Sequence, residues 1–211
     1  MKLISLLEKL EYTCLQGSTD QEVKNVIYDS RKVEEGSLFI CIRGAVVDGH
    51  KFVPDVVAKG AKVLIVEEAV EAPEDVTVIL VKDTRYAMAF ISAAYFGYPA
   101  EKLKTIGITG TKGKTTTTYM VKSILENAGY KVGLIGTIEA IIGDKVIPAK
   151  NTTPESYVIQ EYFHEMVEAG CEYAVMEVSS QGIKMHRTDG LYFNYAIFTN
   201  ISFACNKSHR I

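Results

Sequence analysis

From Lys104 to Thr118 the chain sets out, in immediate succession, a strand, a glycine turn and the start of a helix, and Gly110, Gly113, Lys114 and Thr115 sit at the turn. That succession is suited to holding phosphate. Residues 105–109 are β-branched at most positions, as fits a buried strand. Two glycines then let the backbone turn its N–H groups into one hollow, which the helix N-terminus extends. Lys114 adds a positive charge for the outer phosphates and Thr115 a hydroxyl suited to Mg²⁺. The general loop G-x-x-x-x-G-K-[ST] would put its outer glycine at position 108, which is Ile108, so the loop here is the shorter form beginning at Gly110. The bland alternative is a tight strand-to-helix turn with a solvated first-turn lysine.

The elements around this loop alternate. Ahead of it the pattern predicts an amphipathic entry helix over residues 1–12 and strands over 25–28 and 37–42. A helix over 52–59, strands over 62–66 and 76–81 and a helix over 84–96 follow. The polar segment 99–104 places a domain boundary near residue 100, giving domains 1–99 and 100–211. Beyond it come a helix over 114–127, a strand over 131–137 and a hairpin over 140–148 with Gly143-Asp144 at its tip. A helix over 155–169 and strands over 172–178 and 194–199 complete the pattern. Such alternation predicts an α/β protein with a mostly parallel, doubly wound sheet and ligands at the carboxyl ends of its strands.

Residues just after those strands would converge on the loop. Glu177 ends an apolar strand, where its carboxylate could hold Mg²⁺ beside a triphosphate; the alternative is a capping or salt-bridging acid. Asn151, Thr152 and Thr153 precede Pro154 and a helix, so helix capping and ligand binding are equally open. Arg187 could fork onto a phosphate or carboxylate, or stand as a solvated charge.

Bulk properties narrow the classes further. The 211 residues carry a net charge of −3, with no basic cluster, which argues against nucleic acid as a partner. No apolar run reaches the ~18 residues a bilayer span needs, and the first apolar run is broken by Glu8 and Lys9, so a cytoplasmic protein without membrane insertion is expected. The four cysteines form no C-x-x-C pair, and reduced thiols are expected.

The motifs Gly110 to Thr116, Gly136-Thr137-Ile138, Asn151 to Pro154, Glu177 to Ser180, His186-Arg187 and Phe198 to Asn200 resemble, in that order, the Mur ligases. The nearest branch is the one that adds the third residue to UDP-N-acetylmuramoyl-L-alanyl-D-glutamate. Tyr28 to Arg31, Gly36 to Phe39 and Gly44 to Gly49 are similar to that family's small UDP-binding domain. The resemblance spans residues 23–202 and implies an ATP- and Mg²⁺-dependent amide ligase of peptidoglycan synthesis. Its partners would be the UDP-muramoyl-dipeptide and an amino acid, and it would act as a monomer.

By resemblance, Gly110, Thr111, Lys112, Gly113, Lys114, Thr115 and Thr116 bind ATP. Lys114 and Glu177 carry catalysis, and Thr115 and Glu177 hold Mg²⁺. Tyr28, Ser30, Ala45, Val46 and Val47 take the uridine nucleotide, while Asn151, Thr152, Thr153, Ser179 and Arg187 hold the muramoyl-dipeptide. Two departures stand out. Met185 occupies a position that is often glutamine, and Ala204 and Cys205 replace an Asp-His pair. With the rest of the central domain and the amino-acid-binding domain missing, the reading is a truncated form, poorly active or inactive in amide formation. Two other readings stay open: a non-catalytic nucleotide-binding module, and a related amide ligase such as a folylpolyglutamate synthase.

Overall fold

The computed structural model describes residues 1–44 and 47–202. The chain forms two compact units, the first Met1–Tyr95, the second beginning at Phe96.

The first unit runs α1 (Leu3–Leu6), β1 (Tyr12–Gln16), β2 (Asn25–Ile27), β3 (Ser37–Ile40), α2 (Val53–Ala58), β4 (Val63–Val66), β5 (Thr77–Val81) and α3 (Thr84–Tyr95). Its sheet has the order β1-β5-β4-β3-β2, with β2 to β5 parallel and β1 antiparallel to β5. Strands β3 and β4 are buried at every position, as a parallel strand covered on both faces requires. The predicted entry helix is one turn only. Leu3, Leu6 and Leu7 bury fully, and the chain then crosses to the edge strand β1, whose outward positions show no alternation for a pattern reading to find.

Burial has a chemical consequence in this unit. The Cys41 thiol sits among buried groups and is pushed up to about 12 by desolvation, with the Asp48 and Glu67 charges adding to it. Cys14 is exposed. Peptide mapping after brief iodoacetamide treatment of the native chain at pH 8 is expected to find Cys14 alkylated and Cys41 unreacted; comparable labelling of both would contradict the burial of Cys41 just after β3.

The second unit runs β6 (Lys104–Thr109), α4 (Lys114–Asn127), β7 (Val132–Ile135), β8 (Glu139–Ile142), β9 (Lys145–Pro148), α5 (Ser156–Glu168), β10 (Tyr173–Glu177), α6 (Ser180–Lys184) and β11 (Tyr195–Phe198). Strand order is β11-β6-β10-β7-β8-β9, parallel through β7 and closed by the antiparallel hairpin β8–β9. Alternate residues of β10 serve opposite faces. Val175 packs with Ile106, Ile108 and the α4 side chains Val121 and Leu125, whereas Ala174 and Met176 join Ile159, Phe163 and Met166 of α5. Helices on both faces make the sheet doubly wound, as the pattern predicts.

Gly97 and Tyr98 adopt positive φ ahead of Pro99 and stop α3. Phe96 then packs edge-on against Tyr157 of α5, ring centroids 5.2 Å apart. That contact puts Phe96 in the second unit, a little before the boundary expected near residue 100.

Candidate functional site

The register of the second sheet fixes the site. Glu177 at the end of β10 lies opposite Ile108 near the end of β6, so its side chain stands beside the turn that follows Thr109. In that turn Gly110 has φ +137° and Gly113 +82°, conformations that favour glycine. Gly113 is the N-cap of α4 and offers no capping side chain. The first amides of α4 therefore have no intrahelical acceptor and face outward with the positive end of the helix dipole. Lys114 stands at the first helical position, its Nζ donating to the Gly110 carbonyl at 2.7 Å.

The loop is braced by a segment ninety residues later in sequence. Asn200 accepts from Thr111 N–H through its carbonyl at 2.9 Å and from Lys112 N–H through its side chain at 3.2 Å, and its amide donates back to the Lys112 carbonyl at 3.0 Å. The Thr199 hydroxyl donates to the same carbonyl at 2.7 Å. Thr199 and Asn200 carry no role in the sequence reading. Their link to the loop is wholly tertiary; the resemblance includes them as a motif, and their place at the end of a strand parallel to β6 is the physical signal that could have given them this role.

Glu177 is fully buried, and a buried carboxylate needs partners. It accepts from the Thr115 hydroxyl on Oε2 at 3.0 Å, from the Thr137 hydroxyl on the same oxygen at 2.9 Å and from Thr137 N–H on Oε1 at 2.8 Å. These are hydroxyl and amide donors, so the salt-bridge alternative does not hold. Thr115 Oγ1 and Glu177 Oε2 fit Mg²⁺: both are hard oxygens, and neighbouring ligands of an octahedral ion with ~2.1 Å bonds stand about 3 Å apart. Among the described residues no group of three or more His, Cys, Asp or Glu side chains could hold a metal, so such an ion would draw its other ligands from phosphate and water.

The residues 151–154 do not cap α5. Its N-cap is Glu155, without a side-chain bond. The Thr153 hydroxyl instead donates to the Glu177 carbonyl and accepts from Ser179 N–H, each at 2.9 Å, tying this segment to the end of β10. Ser179 in turn caps α6 through Gly182 N–H at 3.0 Å. Arg187 is no solvated charge: its side chain, 14% exposed, donates to Glu155 Oε1 at 2.7 Å and to the Thr153 carbonyl at 3.0 Å.

A cavity of about 600 Å³ opens where these parts meet. Gly110, Thr111 and Lys114 form one wall, and Asn151, Thr152, Thr153, Ser179 and Arg187 form another. Lys112, Gly113 and Thr116 are exposed, outside its lining. Ser180 and Gln181 also line it, unassigned by the sequence.

In the first unit the Arg31 guanidinium forks onto Asp29 at 2.9 and 2.7 Å and holds that carboxyl down to about 2. Because the folded value is depressed, the pair's contribution is complete above the ordinary carboxylate range and fades as pH falls towards 2. Ser30 lies between them in a single 3-10 turn, its carbonyl accepting from Lys59 Nζ at 2.8 Å. Tyr28 is half-buried and Val47 half-exposed. Ala45, Val46 and the tail from Phe203, including Ala204 and Cys205, lie outside the described residues.

Among the described residues no helix is long and apolar enough to cross a membrane. Residues 22–96 match the Mur ligase family, catalytic domain, and residues 108–206 the Mur ligase middle domain. A UDP-N-acetylmuramoyl-L-alanyl-D-glutamate--2,6-diaminopimelate ligase of Clostridium perfringens is 52% identical over 202 residues, 96% of this chain and 42% of that protein. The solved structure of a ligase of the same name superposes with a TM-score of 0.80 at 23% identity, covering 96% of this chain and 41% of that one. A UDP-N-acetylmuramoylalanyl-D-glutamyl-2,6-diaminopimelate--D-alanyl-D-alanyl ligase from Acinetobacter baumannii superposes at 0.64 with 27% identity, covering 93% and 41%. The chain thus spans about two fifths of the length of the curated relatives it matches.

Proposed function

This chain belongs to the Mur ligase family, carrying its N-terminal and middle domains, and on that premise we propose that it binds UDP-N-acetylmuramoyl-L-alanyl-D-glutamate and ATP for the ligation of a third residue, 2,6-diaminopimelate. The relatives' names supply the amino acid. In this reading the first unit takes the uridine nucleotide at Tyr28, Ser30 and the loop ending at Val47, and the second takes ATP on the loop from Gly110 to Thr116.

The observation that carries the reading is the shared cavity: the phosphate loop and the Asn151–Thr153, Ser179 and Arg187 cluster face one space. A terminal carboxylate held there lies within reach of the γ-phosphoryl group. Its oxygen takes that group from ATP, releasing ADP. The incoming amine then attacks the acyl carbon, the C–N bond forms, phosphate leaves and the amine loses a proton. The residues present hold and align. The first amides of α4 and Lys114 neutralise phosphate charge, and Arg187, on giving up Glu155, pairs with a substrate carboxylate. Mg²⁺, when bound by Thr115 and Glu177, supplies further neutralisation of the phosphoryl group. No protein nucleophile enters the scheme.

Calorimetric titration of the 211-residue chain with the UDP-muramoyl-dipeptide, with and without Mg²⁺ and a non-hydrolysable ATP analogue, tests this. Saturable binding of each ligand is expected. Absence of binding for both would end the proposal.

A further inference from the structure

Thr137 stands in the turn between β7 and β8, is exposed, and nevertheless grips the fully buried Glu177 twice. Its N–H takes Oε1 at 2.8 Å and its hydroxyl takes Oε2 at 2.9 Å. One residue on both oxygens fixes the plane of the carboxylate as well as its position. The preceding residue is shaped for this grip, because a Cβ on Gly136 would lie 2.6 Å from Glu177 Oε1. The direction of the Thr137 hydroxyl is set from its other side by the Thr152 hydroxyl at 3.1 Å. A hydroxyl has a single proton to give; with that of Thr137 on Glu177, Thr152 donates to Thr137.

The same carboxylate oxygen accepts from Thr115. Under the reading above, a divalent ion taken up between Thr115 Oγ1 and Glu177 Oε2 displaces that contact, since the Thr115 proton can no longer point at Oε2. Of its three donors among the described residues Glu177 then loses one, and the two that remain both belong to Thr137.

We propose that Thr137 is a positioning residue for the metal carboxylate: its hydroxyl holds Glu177 Oε2 in the direction from which it meets Mg²⁺. The inference rests on the nucleotide reading of the loop. Hydrogen-bond partners that orient a metal ligand commonly carry a 10- to 100-fold share of metal affinity, and a share near the lower end is expected here, because the backbone contact on Oε1 survives any side-chain change at 137.

The test is the metal-dependent increment in nucleotide affinity, the ratio of Kd for adenylyl imidodiphosphate in EDTA to that in Mg²⁺, measured on the parent chain, Thr137→Val, Thr137→Ala and Thr137→Ser. Both variants lacking the hydroxyl should lose about tenfold of that ratio while binding the nucleotide in EDTA as the parent does, and Thr137→Ser should restore it. Thr137→Ser should melt near the parent, whereas Thr137→Val and Thr137→Ala, which take a donor from the buried carboxylate, should melt lower, so the ratio and its recovery in Thr137→Ser carry the test. A merely structural role would lower melting or binding in EDTA and leave the ratio alone. An unchanged ratio in Thr137→Val and Thr137→Ala, or no recovery in Thr137→Ser, overturns the inference while the nucleotide reading stands. A parent that binds no nucleotide in either buffer overturns both.

Discussion

Lys114→Ala is expected to abolish most of the affinity for Mg²⁺-nucleotide while leaving the free chain as stable as the parent. The two halves of that result have separate causes. A charge-assisted hydrogen bond is worth about 1.5–3 kcal/mol, so loss of the ammonium from a triphosphate lowers affinity by roughly 10- to 150-fold. In the unliganded chain the lysine does the fold little good. It stands at the first position of α4, where a positive charge opposes the helix dipole at about 0.3–1 kcal/mol, and alanine is the better helix former. Against these gains stands the bond from Nζ to the Gly110 carbonyl, worth about 1 kcal/mol net. The opposing contributions nearly cancel, and a melting temperature within about 3 °C of the parent is expected for a chain of this size. Titration with a Mg²⁺-nucleotide and a melting curve on the same preparation check both halves. A variant that binds as tightly as the parent would remove the loop from the proposed function; one that melts far lower would show the lysine to be structural.

Much of this site is legible in the residues, and the illegible part has one physical origin. Strand, turn and helix from Lys104 to Asn127 are local, so periodicity and the two glycines locate them, and the positive φ at Gly110 and Gly113 is where the turn needs it. The doubly wound sheet is readable for the same reason, since each βα unit announces itself over a short span. What the sequence leaves open is decided by contacts between distant segments. Thr153 has the chemistry of a helix cap, yet spends its hydroxyl on the Glu177 carbonyl and Ser179 N–H. Arg187 looks like a surface arginine, until α6 folds it back onto Glu155. Thr137 and Asn200 act only because β7 and β11 end beside β10 and β6. The edge strand β1 is missed for a different reason: an edge exposed on most of its positions has no burial period to read.

The bracing of the loop from β11 leads to the second large effect, at Gly110. Gly110 and Gly113 both have positive φ, and alanine at either carries the conformational cost of that region, about 1–2 kcal/mol. Only one is also hemmed in. Among the described residues a Cβ on Gly113 meets nothing within 4 Å, whereas one on Gly110 would collide with Thr199 Oγ1 and lie 2.9 and 3.0 Å from the Asn200 carbonyl oxygen and nitrogen. A threonine hydroxyl could rotate aside; the Asn200 backbone can clear the Cβ only if the end of β11 moves. Moving it breaks the bonds from Thr199 and Asn200 to Thr109, Thr111 and Lys112, each worth about 1 kcal/mol. Gly110→Ala should therefore destabilise the chain by about 3–5 kcal/mol and leave no measurable nucleotide binding. Gly113→Ala should cost about 1–2 kcal/mol and retain binding weakened by less than about tenfold. Denaturant unfolding of the two variants beside the parent, with nucleotide titration of each, reads the difference. Equal losses at the two glycines would mean that backbone conformation alone shapes the loop, and that its contact with the Thr199-Asn200 segment does not hold it in place.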